Sequence, residues 1–135
     1  MDFAAIVQRQ RAFFQTGATR PIEFRRAQLE KLSVALTRDE DNLLAALNSD
    51  LRKSPSQAYT SEIGFLQAEI RSALKNLTKW SAASRRCTPW FVAPARGWVQ
   101  PEPFGGALIL GPWNYPVQLL LTPLVSASRR GIASC

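Results

Sequence analysis

One stretch limits the folds open to this chain: residues 101–116, reading PEPFGGALILGPWNYP. Within it, Ala107-Leu108-Ile109-Leu110 is short, apolar and preceded and followed by glycine, the pattern of a strand covered on both faces. Gly111-Pro112 stops that strand, because proline lacks a ladder donor and glycine accepts backbone angles that other residues avoid. Pro116 then suits the first turn of a helix running from Val117 to about Ala127, where a missing N–H costs nothing. Asn114 falls between the carboxyl end of a strand and the amino end of a helix, where open α/β sheets gather their ligand chemistry. On spacing alone its amide has two uses: capping the helix or donating to a ligand.

Upstream, the apolar spacing is helical. A first helix over about Phe3–Gln15 sets Phe3, Ile6, Val7, Phe13 and Phe14 on one broad stripe, and Gly17 ends it. Thr19-Arg20-Pro21 restarts a helix whose Phe24, Ala27, Leu32 and Leu36 can face inward. Thr37-Arg38-Asp39-Glu40 has the form of a capping box, opening a helix with Leu43, Leu44, Leu47 and Leu51 that stops before Ser54-Pro55. A long helix is predicted from about Gln57 to Ser84, with Ile63, Leu66, Ile70, Leu74, Leu77 and Ser81 in register and Trp80 alongside. Gly64 costs such a helix about 1 kcal/mol relative to alanine, which a close contact there would explain. From Cys87 to Pro103 the prolines confine the chain to connectors and sheet edges.

The net charge is +7 and unevenly placed: residues 71–135 carry 8 Lys/Arg against the single acid Glu102. These cations are scattered, without the aromatic–glycine motifs of a nucleic-acid reader, so no nucleic-acid partner is expected. No charged residue lies between Glu102 and Arg129, long enough for a membrane span of about 20 residues. Gly105, Gly106, Gly111, Pro112, Asn114, Pro116, Gln118 and Pro123 break that interval, and backbone in lipid must be satisfied internally; a buried strand–turn–helix accounts for it better. Two cysteines, Cys87 and Cys135, make no disulfide framework, and no secretory signal is evident, which fits a reducing, cytoplasmic setting. The chain has no histidine, excluding a Ser-His or Cys-His dyad and any histidine-bearing metal site within it.

PEPFGGALILGPWNYPVQLLLTPLVSA, together with TGATRPIEFRRAQLEKL, LNSDLRKS and AYTSEIG upstream, resembles the N-terminal part of the NAD(P)-dependent aldehyde dehydrogenases in their class 3 branch, over nearly all of residues 7–127. The resemblance implies an α/β fold with a Rossmann-like cofactor domain, of which this portion is mostly helical with a few strands. It implies a helical region at 1–86, an extended arm at 87–103, the first strand–turn–helix of the cofactor domain at 104–127, and a departing tail at 128–135. The family oxidises an aldehyde to a carboxylic acid with NAD or NADP, through a cysteine thiolate and a glutamate base that lie beyond residue 135. By resemblance Asn114 supplies the side-chain amide of the oxyanion hole, where one donor is worth about 3–4 kcal/mol. Leu110, Gly111, Pro112 and Trp113 match positions on the nicotinamide side of the cleft, and Tyr115 and Phe65 match positions near the substrate entrance. From the residues alone, a tight turn with a core tryptophan and two buried aromatics serve as well. No Gly-x-Gly-x-x-Gly follows Leu108–Leu110, so cofactor binding is not legible from glycine chemistry. No metal is implied, and the full-length enzyme is expected to be a homo-oligomer. Cys87 sits in the connector with no base nearby and is not a nucleophile candidate.

After Ala127 the chain reads Ser128-Arg129-Arg130-Gly131-Ile132-Ala133-Ser134-Cys135, where the family continues with an apolar helix end, another strand and Lys-Pro-Ser-Glu. A one-base frameshift, a premature stop or an erroneous gene boundary would produce such a tail. The isolated polypeptide is then expected to be inactive and weakly stable, its central strand left without a partner at about 1–3 kcal/mol per buried unpaired amide. A non-catalytic helical interaction module and a peripheral membrane protein are the alternatives.

Overall fold

The computed structural model describes residues 2–134. Helix α1 (Phe3–Gln15) opens where the Asp2 carboxylate accepts the amides of Ala4 and Ala5 at 3.0 and 3.2 Å, and it ends at Gly17, whose φ is +75°. Its aromatic stripe is only partly covered: Phe3 is 73% exposed and no α1 residue is buried. Phe13 meets Phe24 of the next helix at 6.1 Å between ring centroids. Helix α2 (Ile22–Arg38) starts after Pro21, as the sequence suggests, and buries Leu29 and Leu36. Phe24, Ala27 and Leu32 are half-buried.

The expected capping box does not form. Helix α2 continues through Thr37, whose hydroxyl donates to the Ser33 carbonyl at 3.2 Å. The helix break falls at Asp39, and its carboxylate takes the Arg38 guanidinium at 2.7 Å rather than a backbone amide. Helix α3 (Glu40–Leu51) ends on Arg52 in the left-handed region, φ +56°. The predicted long helix is three pieces: α4 (Pro55–Ala58), a π-helical turn (Tyr59–Ile63) and α5 (Gly64–Ser81). It begins two residues earlier and ends three earlier than its periodicity suggests. Ser54 caps α4, with Pro55 in its first turn. Gly64 has the expected close contact, since a Cβ there would lie 3.1 Å from both the Tyr59 ring and the Tyr59 carbonyl.

Helices α2 and α5 enclose the core with α6 (Pro116–Arg129). Leu29, Leu36, Leu66, Ile70, Ala73 and Val125 form its centre, flanked by Leu32, Leu43, Leu74, Val117 and Leu121. Burying each Leu or Ile stabilises the fold by about 1.5–3 kcal/mol before entropy is counted. Gln67, one of the buried polar residues, is satisfied by Ser33 and Thr37 at 2.7–3.1 Å.

Two small sheets complete the chain. Strands β1 (Ser84–Arg86) and β2 (Gly97–Val99) pair antiparallel, Arg85 opposite Trp98. The arm therefore begins inside the region read as helical, and a short 3-10 turn at Trp90–Val92 lies within it. Strands β3 (Gly106–Ala107) and β4 (Ala133–Ser134) pair parallel across helix α6, making a βαβ unit. This corrects two expectations. The paired residues are Gly106 and Ala107, not Leu108–Leu110, and Leu108 and Leu110 are 71% and 81% exposed. Pairing stops where β4 stops, and no further strand covers the run among the described residues. Nor is the strand alone, because the tail supplies its partner: α6 extends to Arg129, and the Ala133 amide donates to the Gly105 carbonyl at 3.0 Å. Arg25 secures the tail by donating to the Arg129 carbonyl at 3.0 Å, and the Arg129 guanidinium lies 4.4 Å from the Trp80 ring centroid. Cys135 lies outside the described residues.

Candidate functional site

The turn between β3 and α6 carries Leu110, Gly111, Pro112, Trp113 and Asn114, all exposed. A Cβ on Gly111 would come within 3.2 Å of the Leu120 Cβ, so glycine lets the turn fold back onto α6. Trp113 is 89% exposed and packs into no core formed by the described residues. Tyr115 is half-buried and is the N-cap residue of α6, without a side-chain capping bond. Phe65, on α5, is 41% exposed among the described residues.

Asn114 is not the helix cap that its residue type suggests. The Glu62 carboxylate fills that role, accepting the amides of Val117 at 2.9 Å and Gln118 at 3.4 Å. A carboxylate suits this position, where the unpaired N–H groups and the helix dipole favour negative charge. Among the described residues the Asn114 side-chain amide has no hydrogen-bond partner and faces solvent, whereas its backbone carbonyl accepts from Lys53 Nζ at 2.9 Å.

Lys53 and Glu62 are the residues that sequence reasoning missed. Their ion pair, 2.5 Å between Nζ and Oε1, has side chains 9% and 0% exposed. The Lys53 ammonium also sits 3.8 Å from the Tyr115 ring centroid, and its own carbonyl is held by Asn48 at 2.9 Å. LNSDLRKS, AYTSEIG and GPWNYP, far apart in the chain, thus meet at one place. The available signal was Glu62 itself: with Leu66 and Ile70 it continues an i, i+4 apolar stripe, where a carboxylate has no reason to stand unless a cation meets it.

A cavity of about 720 Å³ lies elsewhere, walled by Arg20, Arg25, Trp80, Phe104, Arg129 and Ile132 among others. Burial pulls the Arg25 guanidinium below its ordinary value, and its donors go to Pro21, Arg20, Ser81 and Arg129. These bonds hold structure together and leave little for a ligand. Among the described residues no three His, Cys, Asp or Glu side chains are grouped to hold a metal ion, and no helix is long and apolar enough to cross a membrane.

A parallel βαβ unit with its turn open at the carboxyl end of β3 places the chain among α/β proteins. The model of the aldehyde dehydrogenase family matches residues 1–131, and the chain belongs to that family. It is 44% identical over 129 residues to bovine aldehyde dehydrogenase family 3 member B1, covering 96% of this chain and 28% of that protein. It is 40% identical over 121 residues to the 4,4'-diaponeurosporen-aldehyde dehydrogenase of Staphylococcus aureus, covering 90% of this chain and 26% of that one. Among solved structures, a substrate-bound Staphylococcus aureus AldH superposes with a TM-score of 0.94 at 37% identity, over 99% of this chain and 30% of that chain. The chain thus spans little more than a quarter of the length of these relatives. The fold is the family's α/β fold, and this portion of it is mostly helical.

Proposed function

We propose that these residues form the oxyanion side of an aldehyde dehydrogenase active site, with Asn114 as the side-chain donor to the aldehyde oxygen. One observation carries the reading: Glu62 caps α6, so the Asn114 amide is left unspent at the mouth of the helix. As a thiolate adds to the carbonyl carbon, the carbonyl π electrons move onto oxygen, and a fixed amide N–H stabilises that charge by about 3–4 kcal/mol where water is excluded. The thiolate and the general base would come from chain beyond these 135 residues. Cys87, exposed in the arm, is not that thiolate.

NAD or NADP would supply the hydride acceptor. The exposed apolar edge of Leu110 and Trp113, next to Gly111 and Pro112, fits the flat nicotinamide end of such a molecule. No glycine-rich phosphate loop follows β3, so a pyrophosphate would be held by residues outside this portion. Tyr115 and Phe65 would line the approach of an aliphatic or aromatic aldehyde. The same reading takes residues 104–127 as the start of the cofactor domain, a cytoplasmic setting for the free Cys87 thiol, and a homo-oligomer. The exposed Trp98 and Val99 of the β1–β2 edge support such a partner strand.

The test is a graft. Residues 1–127 replace the matching part of the Staphylococcus aureus enzyme, and aldehyde-dependent reduction of NAD or NADP is followed at 340 nm. Turnover within about tenfold of the parent is expected; a folded, cofactor-binding graft without turnover refutes the proposal.

A further inference from the structure

We infer that the buried Lys53–Glu62 pair is a positioning clamp for the Asn114 turn, a conclusion that rests on the reading of Asn114 as an oxyanion donor. Three anchors converge on four residues of the stretch 114–118. Lys53 Nζ fixes the Asn114 carbonyl at 2.9 Å, the same ammonium holds the Tyr115 ring at 3.8 Å, and Glu62 fixes the amides of Val117 and Gln118. Every anchor grips main chain or a neighbouring ring, and none touches the Asn114 side-chain amide. The backbone that carries this amide is held from both sides, while the amide itself remains free to donate.

Stability alone does not explain such a pair. Two apolar residues of similar volume would generally serve a core as well or better, because desolvating both charges offsets most of their attraction. What an apolar pair cannot do is bond a carbonyl and two amides at once. The π turn over Tyr59–Ile63 places Glu62 at this point, and π turns in helices recur at functional sites. Gly64, whose amide donates to the Tyr59 carbonyl and closes that turn, belongs to the same device, since a Cβ there would lie 3.1 Å from that carbonyl. Lys53 and Glu62 are positioning residues: they act on the donor and do not reach the aldehyde.

Amide hydrogen exchange by NMR on the full chain tests the clamp, comparing wild type with Glu62→Gln and with the apolar double variant Lys53→Met/Glu62→Leu. In the double variant, Val117 and Gln118 are expected to exchange about tenfold faster or more relative to Ile70, and the Asn114 side-chain NH2 resonances to move, while the melting temperature holds. A pair serving only stability would be replaced by Met and Leu with both readouts unchanged, and that result overturns the proposal. Should the variants not fold, wild type decides. Val117 and Gln118 amides as slow as Ile70's support the clamp; fast exchange there, or throughout the chain, overturns it. Asn114→Ala leaves these rates unchanged, so failure of the clamp and failure of the oxyanion reading show in different measurements.

Discussion

Replacing Gly131 by alanine, beside the control Gly17→Ala, asks whether the last residues are seated in the fold. Both glycines have left-handed backbones, φ +72° and +75°, so both substitutions carry the same backbone cost of about 1–2 kcal/mol. Their surroundings differ. A Cβ at Gly17 meets nothing nearer than the Arg20 Cδ at 4.0 Å, whereas one at Gly131 lies 2.8 Å from the Thr19 carbonyl oxygen. Relieving that contact requires moving backbone by about half an ångström, and overpacking of this kind typically costs about 1–3 kcal/mol more. The Thr19 carbonyl belongs to the turn between α1 and α2, and Arg25 grips both the neighbouring Arg20 carbonyl and that of Arg129, so neither side yields easily. Urea unfolding followed by far-ultraviolet circular dichroism should give about 1–2 kcal/mol for Gly17→Ala and about 2–5 kcal/mol for Gly131→Ala, with unchanged m-values. Equal losses would mean that the tail does not pack against the α1–α2 turn, and the reasoning would fail.

Other expectations follow from the same contacts. Ile70→Ala empties the centre of the α2–α5–α6 core and should cost about 2–5 kcal/mol in urea unfolding; a loss under about 1 kcal/mol would mean the core is not packed as described. The Asp39 carboxyl, bonded to the Arg38 guanidinium, should titrate below its ordinary value of 3.8 by carbonyl-carbon NMR and return to it in Arg38→Ala. Because this folded value is depressed, the pair's small contribution is present above the unfolded value and lost as pH falls through the folded one; an unchanged titration in Arg38→Ala would contradict it.

Local information carried much of this fold. The boundaries of α1 and the restart at Pro21 were legible because glycine, proline and a 3.6-residue period act within a few residues. The capping box failed because Thr37 found a carbonyl one turn back and Asp39 a neighbouring arginine, both competing with the cap on equal terms. The register of β3 was missed because it depends on Ala133 and Ser134, across a whole helix. Asn114 was singled out by its motif, but its freedom to donate was invisible, since its competitor Glu62 lies 55 residues before Val117. Lys53 drew no attention for the same reason: its role exists only once three distant segments have met.

Steady-state kinetics of the grafted enzyme carrying Asn114→Ala bear most directly on the donor at the mouth of α6. The expected result is a fall in kcat/KM of about 10²–10³-fold carried mainly by kcat, with the fold and cofactor affinity retained. A variant that oxidises aldehyde as fast as its parent would show that this amide stabilises no developing charge.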